Sequence, residues 1–114
     1  MIGGLFEIAN ASGIGMRIDE SLFIYPEEVK AVCGAFSIDP VAAIAEGTLL
    51  ITAKASSSPE IIRRLKAEGI EASVVGKVPE NPAVRELKRL DGSFVPLAIP
   101  EQDPFWPVAF EGLI

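Results

Sequence analysis

The chain has 114 residues, a formal charge of −6, 49% hydrophobic residues and no histidine. It is long enough for one domain with a single core and too apolar to be disordered, and its acidic balance argues against nucleic acid or an anionic membrane as partner. The lack of histidine excludes Ser-His and Cys-His nucleophiles and histidine metal sites. No apolar run reaches the roughly 20 residues of a membrane span, and no secretory signal is visible. The single cysteine, Cys33, fits a cytoplasmic protein, and we expect no metal site.

The N-terminal residues predict a helix that opens with two glycines. Apolar side chains recur at helical spacing over residues 5–12, and Gly13 ends the helix. Gly3 and Gly4 in front of it would leave the first N–H groups open to an anion. The simpler alternative is a flexible terminus, because a glycine pair is a weak signal compared with full phosphate-loop spacing.

The next segment predicts a strand followed by a helix. Residues 14–19 alternate apolar and polar side chains, which is typical of a half-buried strand, with an edge position as one possibility. Pro26 suits the start of a helix. The apolar stripe of that helix consists of Val29, Val32, Cys33 and Phe36. Cys33 is therefore expected to pack as a small hydrophobe rather than act as a reactive thiolate.

A short helix, a turn and a strand are predicted next. Asp39 is a good N-cap for a helix over residues 41–45, and Gly47 ends it. Residues 48–52 are β-favouring and apolar, as expected of a central, covered strand. Glu46 lies in the turn, where it could project into a cleft at the start of that strand. A solvated turn acid is the simpler interpretation.

The second half predicts a helix, a strand and a hairpin. Ser58 caps a helix that ends at Gly69, and the basic residues on it are most simply a solvated face. Residues 70–78 predict a strand, in which Gly76 indicates close backbone approach or a bulge.

The chain closes with a hairpin and a tail. Asp91 and Gly92 favour a hairpin turn, and Pro96 marks the return strand as an edge strand. Pro104 is expected to open a short helix in the tail. We expect its aromatic side chains to pack on the domain or in a partner. These are Phe105, Trp106 and Phe110.

The order of these elements, together with several short motifs, resembles the C-terminal domain of the aminoimidazole ribonucleotide (AIR) synthetase superfamily, in its hydrogenase-maturation branch. Residues 3–78 carry the likeness. The motifs are Gly3-Gly4-Leu5 opening a helix, Ala11-Ser12-Gly13-Ile14-Gly15 ending it, and Asp39-Pro40 and Glu46-Gly47 before a strand.

The resemblance implies an α+β fold, with a mixed sheet of four or more strands and helices packed on it. Residues 1–98 would form the domain and residues 99–114 the tail. Family members are dimeric ATP-using enzymes, in which an N-terminal domain holds most of the nucleotide and magnesium ligands. The C-terminal domain closes the cleft, and its Gly-Gly helix start contacts phosphate. That role would fall to Gly3, Gly4 and the amide of Leu5.

Three departures from the family pattern stand out. Met1 and Ile2 occupy positions where the family has polar residues. The nucleotide-binding half is missing from this sequence. The C-terminal cysteine with which the hydrogenase-maturation enzyme carries its group is absent, since the sequence ends Glu-Gly-Leu-Ile.

These observations lead to two hypotheses for function. In the first, the chain is the C-terminal, substrate- or phosphate-side domain of an ATP-dependent protein and is inactive alone. ATP and magnesium then belong to a full-length protein, no cofactor belongs to this chain, and no catalytic residue can be named. Its partners would be a second copy or the missing N-terminal domain, with a phosphorylated small molecule as ligand. The alternative is a stand-alone interaction or dimerisation module without catalysis.

Overall fold

The computed structural model of the protein describes residues 1–111 and shows an α+β fold. The helices are α1 (Ile2–Ser12), α2 (Glu27–Ala35), α3 (Ser58–Ala67) and α4 (Phe105–Glu111). The strands are β1 (Met16–Asp19), β2 (Gly76–Lys77), β3 (Arg85–Lys88) and β4 (Phe94–Pro96). Short 3₁₀ turns cover Glu20–Leu22 and Ala55–Ser57.

The four strands form one mixed sheet in the order β2-β1-β3-β4. β1 runs parallel to β3 and antiparallel to β2, and β3 pairs antiparallel with β4. The expected mixed sheet is therefore confirmed. The strand predicted over residues 14–19 also exists, but it lies inside the sheet, so the suggested edge position is wrong.

The core lies between α1 and one face of this sheet. Met16 and Ile18 of β1 point into it because alternate residues of a strand share a face. Leu87 of β3 is fully buried, and Leu5 and Ala9 of α1 cover it from the other side. On the opposite face Arg17 and Glu86 stand side by side in register and form an ion pair at 2.6 Å.

The region after α2 differs from its prediction. No helix forms over residues 41–45. Instead the Asp39 carboxylate accepts the N–H of Val41 at 3.0 Å and fixes a turn. No strand forms over residues 48–52 either, and Leu49 is 78% exposed, so the predicted central strand is wrong. An apolar run can form a buried strand only where a neighbouring strand pairs with it, and none does within residues 1–111.

Two further predictions need correction. The strand expected over residues 70–78 is reduced to the two residues of β2. Its glycine was read correctly, since a Cβ on Gly76 would overlap the carbonyl oxygen of Arg17. In the stripe predicted for α2 only Cys33 is buried, as a small apolar side chain, whereas its other members are at least 38% exposed. Those members are Val29, Val32 and Phe36.

The end of α1 and the hairpin agree with the predictions from the sequence. Gly13 ends α1 with a φ of 63°, and Gly92 makes the hairpin turn with a φ of 86°. Pro96 lies in β4, an edge strand, as predicted. The tail forms α4, in which Phe105 is partly buried, whereas Trp106 and Phe110 pack on each other and remain 57% and 60% exposed. The packing of the tail on the domain or in a partner stays a prediction. Residues 112–114 of the tail lie outside the described part of the chain.

Candidate functional site

The first candidate site is the N-terminal end of α1. The helix begins at Ile2, so Gly3 and Gly4 lie in its first turn rather than in front of it. The N–H of Ile2 donates to the carbonyl of Val41 at 3.0 Å. The N–H groups of Gly4 and Leu5 donate to the carbonyl of Met1, at 3.1 and 3.4 Å. Within residues 1–111 this leaves the Gly3 N–H as the open donor of the first turn.

The two glycines differ in the space around them. A Cβ on Gly3 would meet nothing within 4 Å, so this side of the first turn is accessible. A Cβ on Gly4 would lie 2.9 Å from Cδ1 of Leu50, so Gly4 allows that side chain to pack against the helix. Gly4 therefore has a packing role that is independent of any ligand.

The electrostatic surroundings of this helix end are mixed. The Met1 ammonium donates to the carbonyls of Ala43 at 2.7 Å and Val41 at 3.3 Å. Burial lowers the pKa of this amine, although the nearby carboxylates of Asp103 and Asp39 act in the opposite direction. The helix dipole favours an anion here, whereas the two carboxylates oppose one. The predicted contact of Gly3, Gly4 and Leu5 with phosphate stays a prediction.

The second candidate site is the turn at Glu46 and Gly47. Both residues are exposed and lie in a turn without regular structure before or after it. A Cβ on Gly47 would meet nothing within 4 Å, so the turn faces open space. The Glu46 carboxylate makes no hydrogen bond to any described residue and is free to reach a ligand or a partner. Its position in a cleft stays a prediction.

A third cluster was missed by sequence reasoning. The Glu20 side chain is buried and forms an ion pair with Nε of Arg89 at 2.8 Å, and one of its oxygens accepts the N–H of Leu90 at 3.3 Å. Arg89 also donates to Asp39 at 2.8 Å. Burial alone would lower the pKa of Arg89, but the hydrogen bond and charge of Asp39 and the charge of Glu20 raise it above its ordinary value.

Tyr25 lies beside this cluster. Its hydroxyl is buried and has no hydrogen-bond partner within residues 1–111. Burial, followed by the charges of Glu20 and Asp39, raises the pKa of Tyr25 far above its ordinary value. The adjoining cavity of about 250 Å³ is lined by Glu20, Arg89, Leu90 and Asp91. Because the carboxylates of Glu20 and Asp39 neutralise Arg89, we interpret the cluster as a structural contact that holds the Asp39 turn against the sheet.

The parallel pairing of β1 and β3 explains why sequence reasoning missed it. Glu20 directly follows β1 and Arg89 directly follows β3, and the carboxyl ends of parallel strands meet at one edge of a sheet. The pairing could not be inferred, because residues 14–19 gave no indication of their neighbours. Once the parallel pairing is known, the charged side chains of Glu20 and Arg89 are expected to lie close together.

Neither a metal cluster nor a membrane-spanning helix occurs in the described part of the chain. No group of three or more His, Cys, Asp or Glu side chains within residues 1–111 could hold a metal ion. Across the same residues, every helix is too short or too polar to cross a bilayer.

Curated relatives are similar to about two thirds of the chain. A carbamoyl dehydratase HypE of Azotobacter vinelandii is 32% identical over 76 residues, which are 65% of this chain and 22% of that protein. A protein of the same name from Rhizobium leguminosarum bv. viciae is 33% identical over the same length. The match therefore spans less than a quarter of each relative.

Solved structures extend the likeness to nearly the whole chain. E. coli HypE, a hydrogenase maturation protein, matches with a TM-score of 0.75 and 27% identity over 93% of this chain and 33% of that one. HypE in a HypE–HypF complex matches with a TM-score of 0.72 over 87% of this chain, at 24% identity, which shows the fold alone.

The family model that matches is described as the AIR synthase related protein, C-terminal domain, and it covers residues 1–87. This range includes α1, β1, β2, most of β3 and both candidate sites. The resemblance found in the short motifs is thereby confirmed, as is its α+β fold. The chain belongs to the family of AIR synthase related C-terminal domains.

Proposed function

We propose that this chain is the C-terminal, substrate- or phosphate-side domain of a two-domain, ATP-dependent protein of the AIR-synthase and hydrogenase-maturation type, and that it is inactive alone. The observation that carries the proposal is the extent of the structural match. Nearly the whole chain, 93%, corresponds to one third of E. coli HypE. The remaining two thirds of such a protein would supply the nucleotide and magnesium ligands.

Isothermal titration calorimetry of the 114-residue chain with ATP and magnesium tests whether the nucleotide site lies outside this chain. We expect no tight binding, because magnesium–nucleotide sites need carboxylates placed around the phosphates. A parallel assay should detect no ATP turnover. Turnover by the isolated chain would contradict the proposal.

The contribution of this domain to the shared site would be the open N–H of Gly3. A helix N-terminus favours an anion, and the space beside Gly3 admits one. The ligand class would be a phosphorylated small molecule. Gly4 and Leu5 would shape the first turn, since their N–H groups are already bonded to the carbonyl of Met1.

A side chain at Gly3 should block this approach. Titration of the ¹⁵N-labelled chain with inorganic phosphate is expected to shift the amide signal of Gly3. In the Gly3→Val variant the neighbouring amide signals should not respond. Gly34→Val is the matched control, because Gly34 is also helical with nothing within 4 Å of its Cβ position. An unchanged phosphate response in Gly3→Val would reject the phosphate role.

Glu46 and Gly47 would border the cleft that the two domains close. Two curated relatives are named carbamoyl dehydratases, so we propose a carbamoyl group as the substrate of the full-length protein. In that protein Glu46→Gln is expected to lower turnover at least about tenfold if its carboxylate takes part in proton transfer. Its thermal stability should not change, because Glu46 is exposed. Full turnover by the variant would exclude Glu46 from the chemistry.

The alternative function, an interaction module, is favoured by one observation. Trp106 and Phe110 form an exposed aromatic pair, with ring centroids 5.8 Å apart, on α4. Exposed aromatic pairs are common at protein interfaces. Light scattering of the chain and of a variant lacking residues 103–114 tests it. A chain that is monomeric with or without these residues would count against self-association through the tail.

A further inference from the structure

A continuous series of contacts joins the carboxyl ends of β1 and β3 to the start of α1. Arg89, which follows β3, forms an ion pair with Glu20 at 2.8 Å and donates to Asp39 at 2.8 Å. The other carboxylate oxygen of Asp39 accepts the N–H of Val41 at 3.0 Å. The carbonyl of Val41 in turn accepts the N–H of Ile2 at 3.0 Å. We call this series of contacts the Arg89 network.

The fixed end of the network is the ion pair of Glu20 with Arg89. The Glu20 side chain is 6% exposed and the Arg89 side chain 29%. Both residues directly follow strands that pair in parallel register, so the sheet determines their relative positions. Hydrogen bonds of a charged pair are stronger where water is largely excluded. The planar guanidinium of Arg89 therefore presents its second donor group to Asp39 in a defined direction.

The other end of the network lies at the first turn of α1. The side chain of Val41 is 1% exposed and belongs to the same core cluster as Ile2. Met1 stands at the N-cap of the helix and makes no side-chain capping hydrogen bond. The Val41 carbonyl instead accepts one of the first N–H groups of the helix. The orientation of the Gly3 N–H therefore depends on the Asp39 turn.

Arg89 also offsets a charge that opposes an anion at this helix end. Burial lowers the pKa of the Met1 amine, and the carboxylates of Asp103 and Asp39 act against that effect, so both carboxylates lie near the helix start. The guanidinium of Arg89 pairs with the Asp39 carboxylate at 2.8 Å. This positive charge reduces the repulsion between Asp39 and an anion beside Gly3.

We propose that Arg89 is a positioning residue for the Gly3 N–H, because it stabilises the Asp39 turn that in turn stabilises the first turn of α1. Arg89 acts through Asp39 and not by contact with the ligand. Lysine does not replace it, since a single ammonium group lacks the planar fork that bridges Glu20 and Asp39. The inference rests on the proposed function for the phosphate at Gly3, but the coupling itself is measured without ligand.

Backbone dynamics of the ligand-free 114-residue chain provide the first test. Arg89→Lys keeps a positive charge in the cluster, so the chain should stay folded, but it loses the fork that reaches Asp39. We expect the ¹⁵N order parameters of Ile2 and Gly3 to fall from about 0.85 toward about 0.6. Arg17→Lys is the matched control, because Arg17 forms an exposed ion pair on the opposite face of the sheet. Unchanged order parameters in Arg89→Lys, or equal losses in both variants, would overturn the proposal.

A double-variant cycle tests whether Arg89 acts through Asp39. Asp39→Ala removes the carboxylate that binds both Arg89 and the N–H of Val41. It should lower the order parameter of Gly3 at least as much as Arg89→Lys does. The double variant Asp39→Ala/Arg89→Lys should show no further loss, because the second substitution has no carboxylate left to act through. Additive losses would mean that Arg89 acts by another route and would reject the proposal.

Titration with inorganic phosphate separates this inference from the proposed function. We expect the dissociation constant reported by the Gly3 amide to rise about three- to tenfold in Arg89→Lys and to stay within about twofold in Arg17→Lys. Both variants keep the net charge of the chain, so charge alone cannot cause the difference. Equal phosphate affinities in the two variants would reject the positioning role and leave the phosphate role intact. No response in the wild-type chain, with α1 still loosened by Arg89→Lys, would reject the phosphate role and support the positioning of α1 by Arg89.

Discussion

The paired sheet and the unpaired apolar residues 48–52 have similar apolar content but opposite surroundings. In the sheet Leu87 is fully buried between two strands and covered by α1. Within residues 48–52 Leu49, which is equally apolar, is 78% exposed. The difference shows that apolar content identifies segments able to form strands, whereas pairing decides which of them become buried.

The largest expected effect on the free energy of unfolding distinguishes Leu87 from Leu49. Leu87→Ala should lower the free energy of unfolding by about 2–5 kcal/mol, because it leaves a cavity between strands. Leu49→Ala should change it by less than about 0.5 kcal/mol, since its side chain is mostly in solvent. Urea denaturation of both variants, at concentrations where the chain is monomeric, measures the contrast. Similar losses of stability would mean that residues 48–52 are buried in solution.

The buried ion pair allows a second test of the sheet. Arg89→Ala leaves the carboxylate of Glu20 buried without its partner and should cost about 3 kcal/mol, measured by urea denaturation. Arg17→Ala removes an exposed pair with Glu86 and should cost no more than about 1 kcal/mol. Equal effects of the two substitutions would show that burial does not distinguish these pairs.

Substitutions of two glycines are expected to have intermediate effects on stability, with opposite signs. Gly76→Ala forces a Cβ into the carbonyl oxygen of Arg17 and should destabilise the protein by about 1–3 kcal/mol. Gly34→Ala adds a methyl group in open space on α2 and should stabilise it by roughly 0.5–1 kcal/mol. Differential scanning calorimetry should therefore show melting temperatures that move in opposite directions. Shifts of the same sign would contradict the close approach of β2 to β1.

The smallest effect concerns a turn acid at the end of β1. Hydrogen bonds from the hydroxyl and the N–H of Ser21 lower the pKa of Asp19. A lowered folded-state pKa stabilises the protein above the unfolded-state value, and this contribution is lost as the pH falls through the folded-state pKa. Ser21→Ala should raise the pKa of Asp19 toward its ordinary value in an NMR titration. An unchanged pKa would show that the hydroxyl contributes nothing.

Local signals predicted much of the fold. Gly13, Asp91 and Gly92 marked a helix end and a hairpin turn correctly, because turn geometry depends on the residues in the turn itself. Pro96 identified an edge strand for the same reason. The helix starting near Ser58 was placed within one residue.

Features that depend on distant partners were not predictable in the same way. Residues 48–52 look like a central strand, yet their burial depends on a neighbour that the sequence does not specify. The ion pair of Glu20 and Arg89 depends on the parallel register of β1 and β3. At the candidate phosphate site the glycine pair was noticed. The hydrogen bonds that use the N–H groups of Gly4 and Leu5 follow from a helix start at Ile2, which no capping residue marks.

The parallel pairing of β1 with β3 has a consequence for biosynthesis. Asp19 ends the first strand, and its partner strand begins only at Arg85, so the central pair of the sheet closes a very long loop. During translation α1 and β1 must remain without β3 until residues 85–88 have left the ribosome. Folding is therefore expected to begin in the late hairpin, whose strands are close in sequence, and to finish with the N-terminal elements.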